Sequence, residues 1–246
     1  MKTYLHAFVM CQSMFCAIPF PGNIWDEEAR DKMLLFLPVV GLEIGILWAG
    51  LAWLCHALSL PVLVRGLVLA VFPYLVTGFI HLDGYMDVTD AVGSCRSPER
   101  RREILKDSHV GAFAVIGVVL LLLGQFAFLT SAKETANGLI LIFIPALSRC
   151  CSALAVTVLK PMHTSQYAEQ KKPKAHGYIL TAMAVLLVAA AWVLCGRYAL
   201  VLPGCLVGYG MALRKGYRSL DGMNGDISGY ALSLGELCAV AVYTLL

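Results

Sequence analysis

The sequence predicts an all-α fold: a polytopic integral membrane helical bundle of about seven spans, organised as one domain over residues 1–246. Three observations predict it. Of the 246 residues, 59% are hydrophobic and 14% charged, with a mean hydropathy of +0.75; an ordinary soluble domain has roughly 45–50% apolar and about 25% charged residues. The apolar residues gather into windows close to the ~20 residues that a helix needs to cross a hydrocarbon core. The polar stretches between them stay within about 30 residues, too short for a separate soluble domain.

In chain order, residues 1–20 hold Lys2 and a loosely apolar run with no small-residue cleavage site, which reads as mature chain rather than a leader. Within 4–20, the polar His6, Gln12 and Ser13 and the stop at Pro19 and Pro21 fit an in-plane or re-entrant helix as well as an additional span. Spans are predicted at 33–55, 61–80, 111–130, 137–159, 177–195, 198–213 and 226–244. The sixth is short, and its Pro203 and three glycines fit a broken or tilted helix.

Charge supplies the topology. Basic residues gather at Arg30 and Lys32, in 96–106, in 160–174 and at Arg214, Lys215 and Arg218, while 56–60, 131–136 and 196–197 are nearly bare. With seven spans after residue 32, every basic segment falls on one side, which the positive-inside rule makes cytoplasmic. The C-terminus then lies on the opposite face, unless an eighth span or a different count at the sixth changes the parity. A net charge of +3 gives no basic face of the extent that nucleic acid requires. Membrane lipid is the surrounding partner, and a homo-oligomer is compatible with this composition. Nine cysteines form no CxxC pair and sit mostly in apolar runs, where they act as small hydrophobes rather than as a disulfide framework or zinc site.

The chemistry concentrates in residues 81–110, the longest polar connection. Asp83, Asp87 and Asp90 are spaced i, i+4, i+7 and share one face of a helix. Carboxylates packed so closely repel unless a cation sits between them, which points to a divalent-metal site at the membrane face. That helix reads as the continuation of the preceding span, with Gly84 and Gly93 bracketing a couple of turns. A second helix follows, capped by Ser97 with Pro98 in its first turn and carrying Glu99 to Asp107. Most of its charges read as a solvated, ion-paired surface. Asp107 reads as functional, because His109, Gly111 and the next span follow directly, and Lys106 is a candidate substrate contact.

A second polar island covers 218–229. Its three glycines among Asp221, Asn224 and Asp226 fit a tight turn whose N–H groups approach an anion. Asp226 opens the last span as an N-cap or faces the cytoplasmic cavity. Glu236, nearly three turns deeper, and Glu43 in the first span are ionisable groups in apolar runs; such groups face the bundle interior. Glu236 fits either a functional role or a buried structural pair. Arg149, mid-span, demands a phosphate, a metal-ligating aspartate or a packing salt bridge. Lys171, Lys172, Lys174 and His176 suit guidance of an anionic substrate. Together these parts suit attack on a phosphoanhydride, with cations neutralising phosphoryl oxygens. No Walker A sequence, dinucleotide fingerprint or HExxH motif occurs.

Residues 79–91 (FIHLDGYMDVTDA) and 103–113 (EILKDSHVGAF) closely resemble the signature of the adenosylcobinamide-GDP ribazoletransferases, the cobalamin (5′-phosphate) synthases of bacteria. The resemblance extends to Ile18-Pro19-Phe20, to 36–41 (FLPVVG), to Ser148-Arg149, and to Asn224-Gly225-Asp226 with Leu234-Gly235-Glu236. It implies a Mg²⁺-dependent integral membrane enzyme that joins adenosylcobinamide-GDP to α-ribazole, or its 5′-phosphate, and releases GMP. Carried onto this chain, it implies Asp83, Asp87, Asp90 and Asp107 as the acidic positions around magnesium and the diphosphate. Asp226 is the aspartate of the final motif. Arg149, Asn224, Asp226, Lys106 and Glu236 complete the expected substrate contacts.

This chain departs from the family pattern at three places. Asp221-Gly-Met-Asn-Gly-Asp226 stands where Gly-Gly-x-Thr-Gly-Asp is usual, Ser233 stands at a commonly acidic position, and His109 replaces an arginine. Two rivals share some features. A CDP-alcohol phosphotransferase-like enzyme also carries spaced aspartates at the membrane face, but its DGxxAR continuation does not follow Asp83-Gly84. A cation or corrinoid transporter fits the spans but gives no reason for three aspartates within eight residues.

Overall fold

The structure, a computed structural model, describes residues 2–20, 22, 24–133, 137–162, 165 and 173–246. All regular structure among these is helical. α1 (Lys2–Phe15) is followed by a 3₁₀ segment, Arg30–Phe36, that runs into α2 (Leu37–Ala57). α3 (Val62–Val76), α4 (Ile80–Gly93) and α5 (Pro98–Ile104) precede the long apolar α6 (Ala112–Ser131) and α7 (Ile140–Val158). α8 (Lys174–Cys195) joins α9 (Val201–Leu220) through a 3₁₀ turn, and α10 (Gly225–Leu245) ends the bundle.

Five helical stretches among the described residues are long and apolar enough to cross a membrane: Arg30–Ala57, Ala112–Ser131, Ile140–Val158, Lys174–Leu220 and Gly225–Leu245. The bent pair α3 and α4 makes six if taken as one span. The 14 residues of α1 rise about 21 Å, short of the ~30 Å hydrocarbon core. α1 is not among the helices long and apolar enough to cross a membrane.

Packing fixes the directions. Gly41 lies against Ala146 and Gly45 against Ile142, so α2 and α7 are antiparallel. Cys150 meets Leu180 and Gly177 meets Val158, so α8 runs antiparallel to α7. Along α10, Gly204 faces Val242, Gly208 faces Cys238 and Gly216 faces Ile227, so α9 is antiparallel to α10. The buried apolar residues form two clusters, one toward Val88, Met223 and Ile227, the other toward Trp48, Tyr198 and Tyr243.

The aspartate-bearing helix is not the continuation of the preceding span. α3 stops at Val76, and α4 leaves it at 92°. Gly78 adopts φ +58° and Phe79 φ +63°. The Phe79 N–H donates to Tyr74 O at 2.9 Å and the Gly78 N–H to Leu75 O at 3.1 Å, the paired bonds of a Schellman stop. Gly84 and Gly93 do not bracket a short extension either: α4 has 14 residues, with Gly84 in its interior. The second polar helix is also shorter than expected. Ser97 caps it, accepting from the Arg100 N–H, but it ends at Ile104, leaving Lys106 and Asp107 in the following turn.

Candidate active site

α4 puts Asp83, Asp87 and Asp90 on one face, and the turn after α5 brings Asp107 to them. All four line one cavity of about 30 Å³, with Ile104 and His109 at its edge. His109 anchors Asp107: its backbone N–H donates to Oδ1 at 3.0 Å, and its Nδ1 stands 2.6 Å from the same oxygen. These contacts hold the Asp107 carboxyl below its ordinary range. Asp87 behaves oppositely. Burial first, then the charges of Asp83, Asp226 and Asp90, push it up to about 6. No lysine or arginine among the described residues lines this cavity. Among the described residues, no three His, Cys, Asp or Glu side chains are already gathered to hold a metal ion.

Asp226 reaches the group through a backbone approach. A Cβ at Gly84 would stand 2.8 Å from Asp226 Cα, and one at Gly229 would stand 2.7 Å from His81 O. α4 and α10 therefore touch main chain to main chain where the carboxylates lie. Tyr85 and Tyr230 stack across the same contact, with centroids 5.6 Å apart. Asp226 is not the N-cap of the last span; Asn224 is. Its Oδ1 accepts from the Ile227 N–H at 2.9 Å and its Nδ2 donates to Asp226 Oδ2 at 2.6 Å. Asn224 thus fixes Asp226 with both ends of its amide.

In the glycine turn before α10, the Gly222 and Met223 N–H groups are committed internally. The Gly222 N–H donates to Tyr217 O at 3.3 Å and the Met223 N–H to Lys160 O at 2.9 Å, while the Met162 N–H donates to Met223 O at 2.8 Å. Residues 160–162 and 221–223 are zipped together, and they floor a second cavity beside the first. Lys106 opens onto that cavity with Arg102, Lys160 and Asp221, not onto the aspartates. Lys171 and Lys172 lie outside the described residues; Lys174 and His176 open α8.

Arg149 and Glu236 meet each other. Each is 1% exposed, and Arg149 Nη1 donates to Glu236 Oε1 at 2.6 Å. Ser148 Oγ donates to the same oxygen at 2.7 Å, and Arg149 Nη1 also reaches Pro145 O at 3.3 Å. Of the partners expected for Arg149, the structure supplies a carboxylate within the helices rather than one of the aspartates of 83–107. Glu43, half-buried on α2, stays outside this pair.

A third cavity, of about 130 Å³, adjoins the aspartates on the α1 side. Asp83 and Asp226 stand at its edge, Phe15, Leu34, Leu37 and Val156 form apolar walls, and His81 and Ser152 add polar atoms. Sequence reasoning missed His81 and Ser152 as site residues. His81, two positions before Asp83 inside an apolar stretch, was the available signal. A further cavity, of about 490 Å³, lies toward Trp53, Arg65 and Tyr243 at the other end of the bundle, and among the described residues no carboxylate side chain lines it.

Comparison with known proteins bears on what this arrangement does. The family model of cobalamin-5-phosphate synthase matches residues 7–244. An adenosylcobinamide-GDP ribazoletransferase of Clostridium perfringens is 37% identical, with 98% of each chain covered. Those of Clostridium botulinum, at 96% coverage of each chain, and Geotalea daltonii, at 98%, are each 31% identical. No solved structure matches the chain. The match leaves the CDP-alcohol phosphotransferase and transporter readings without support. With the aspartates gathered at one cavity and nearly the whole sequence matched, the chain belongs to the cobalamin-5-phosphate synthase family.

Proposed function

We propose that the protein transfers the corrinoid phosphate of adenosylcobinamide-GDP to α-ribazole or its 5′-phosphate, releasing GMP, at the cavity lined by Asp83, Asp87, Asp90 and Asp107. The observation that carries the reading is the convergence of those four carboxylates on one cavity in a chain matched over nearly its full length by this family. The acceptor's ribose 3′-hydroxyl attacks the corrinoid-side phosphorus. A P–O bond forms to that oxygen, the bond to the GMP oxygen breaks, and the hydroxyl proton passes to a carboxylate. Asp226, oriented by Asn224 and at the edge shared by the carboxylate group and the third cavity, is placed to take it.

The donor set fits Mg²⁺. It is all oxygen and anionic, and Mg²⁺ needs only one or two carboxylates when substrate phosphates and water complete its shell. A preformed cage is therefore not required, and the mutual upward push on Asp87 is what a bound cation would relieve. When bound, Mg²⁺ supplies positive charge to the diphosphate oxygens. Asp83, Asp87 and Asp90 would hold it from α4, and Asp107 from the opposite wall. Lys106, beside Arg102 and Lys160, takes the nucleotide phosphates. Arg149 and Glu236 act from beneath, fixing α7 against α10.

The same reading places the site on the cytoplasmic face of a bacterial inner membrane crossed seven times. As one straight rod, the 47 residues of Lys174–Leu220 would rise about 70 Å, more than twice the hydrocarbon core. The antiparallel contacts of α8 with α7 and of α9 with α10 support two crossings. α3 with its flanks over 61–80 is the second crossing, and α4 lies outside the spans on the basic side. The decisive experiment incubates the purified chain with adenosylcobinamide-GDP, α-ribazole and Mg²⁺, with and without chelator. GMP is expected only when both substrates and the metal are present, and no GMP in the complete mixture overturns the assignment.

A further inference from the structure

The third cavity has a chemistry of its own. Six helical segments meet around it, from α1 to α10; Phe15, Leu34, Leu37 and Val156 face it on the apolar side, and His81, Ser152, Ser228 and the two aspartates on the other. His81 is buried, 6% exposed, and its ring lies flat on Phe15, with centroids 5.9 Å apart and an interplanar angle of 8°. Its Nε2 has no protein hydrogen-bond partner. A buried imidazole nitrogen left unpaired is costly, and here it borders a cavity whose edge carries Asp83 and Asp226. The Ser152 hydroxyl borders the same space and lies beside the Tyr209 hydroxyl.

Size and polarity choose among the groups that could enter. A cavity of about 130 Å³ is close to the engineered ~150 Å³ cavity that accepts benzene. It suits one small flat ring system and excludes a corrin macrocycle. The donor's guanine goes with the nucleotide phosphates, assigned above to the second cavity, so the aromatic base left for this one is the acceptor's. A low-polarity aromatic base with a single free ring nitrogen matches the walls and the one unpaired imidazole nitrogen together. The base of α-ribazole, a benzimidazole, has that inventory.

We propose that this cavity is the subsite for the aromatic base of the acceptor nucleoside, with His81 Nε2–H donating to its ring nitrogen and Asp83 and Asp226 facing its ribose. This rests on the transferase reading above and deepens it. The geometry orders the acceptor from base to ribose to reacting hydroxyl along one line, from the apolar cavity to the carboxylates. His81 is a positioning residue in this arrangement.

The test uses the full chain in detergent, reading equilibrium binding of α-ribazole without Mg²⁺ or donor, and the KM of each substrate in turnover. Val156→Phe narrows the cavity from α7, and His81→Phe keeps the ring and removes the nitrogen. Both are expected to weaken α-ribazole binding and raise its KM at least tenfold, with the KM for adenosylcobinamide-GDP within twofold of the parent. A merely structural role would move both KM values or neither. Val156→Ala provides the opposite perturbation and is expected to favour an acceptor with a bulkier base over α-ribazole by several-fold. Turnover with unchanged α-ribazole KM in the two narrowing or nitrogen-free variants, or an unshifted preference in Val156→Ala, overturns the subsite while leaving the transferase reading intact. Metal-independent α-ribazole binding that the variants weaken, in a chain releasing no GMP, sustains the subsite and removes the reaction instead.

Discussion

Replacing Glu236 by Gln separates a structural from a substrate-binding role for the Arg149 pair. The 2.6 Å contact puts the two charge centres about 4 Å apart, an attraction of about 4 kcal/mol at an effective dielectric near 20. Removing one partner also leaves the other charged in a site that is 1% exposed. Breaking such a buried pair costs about 3–5 kcal/mol, whereas replacing both partners by apolar groups of similar size is near neutral. For a chain of this length that loss corresponds to a melting temperature roughly 6–20 °C lower. The assay is thermal unfolding in detergent of Glu236→Gln, and of Arg149→Met combined with Glu236→Leu. The single variant is expected to fall by that amount and the double variant to recover most of it. A Glu236→Gln protein that melts with the parent and shows only a raised KM for the donor would refute the structural assignment.

Asp83→Asn is expected to cut GMP release by about 10²–10³-fold while the melting temperature stays near the parent's; full turnover would remove Asp83 from the site. Asp87, pushed up to about 6, holds its proton more tightly folded than unfolded. Its contribution is therefore full below about pH 4 and lost as pH rises through about 6, amounting to about 1–2 kcal/mol after discounting for partial exposure. Mg²⁺ should accordingly raise the melting temperature more near pH 7.5 than near pH 5, and equal shifts at both would count against the carboxylate site. Gly84→Ala, with its Cβ 2.8 Å from Asp226 Cα, should force α4 from α10 at about 1–3 kcal/mol and lower turnover. Gly50→Ala, where nothing lies within 4 Å, should be neutral or stabilising by up to ~1 kcal/mol, and a matching loss there would undo the backbone-approach explanation.

What was legible in the sequence follows from how local each signal is. The aspartate face needed only the helical repeat, and the Ser97 cap needed only its neighbours. The break before α4 was encoded too, in Gly78, but a glycine at the end of an apolar window reads equally as membrane packing until the Schellman bonds are seen. The role of Asn224 was hidden for a similar reason. Asn224 and Asp226 are both good N-caps, and the close approach at Gly84 turns Asp226 inward and leaves Asn224 to cap. Arg149 and Glu236 are 87 positions apart, and only the packing of α7 against α10 pairs them. His81 is the plainest omission, since its significance depends on α1 closing over it through Phe15.

Arg149 with Glu236 and the aspartates of α4 answer one electrostatic problem in opposite ways. Deep in the bundle, where an unpaired charge is expensive, a cation and an anion cancel each other and a serine adds a further hydrogen bond. At the α4 face, four carboxylates meet with no lysine or arginine among the described residues lining their cavity, and the nearby cations Arg102, Lys106 and Lys160 open onto the neighbouring one. Burial first, then the neighbouring carboxylates, push Asp87 toward protonation there. Asp107 has His109 and the charge of Arg100 to favour its ionised form, while the carboxylates of α4 are left against one another, one short step from a cavity bearing Arg102, Lys106 and Lys160 and from another bearing Phe15, Leu34 and His81. That division suits a reaction joining two unlike substrates through a phosphate, with a cation arriving alongside the diphosphate it neutralises.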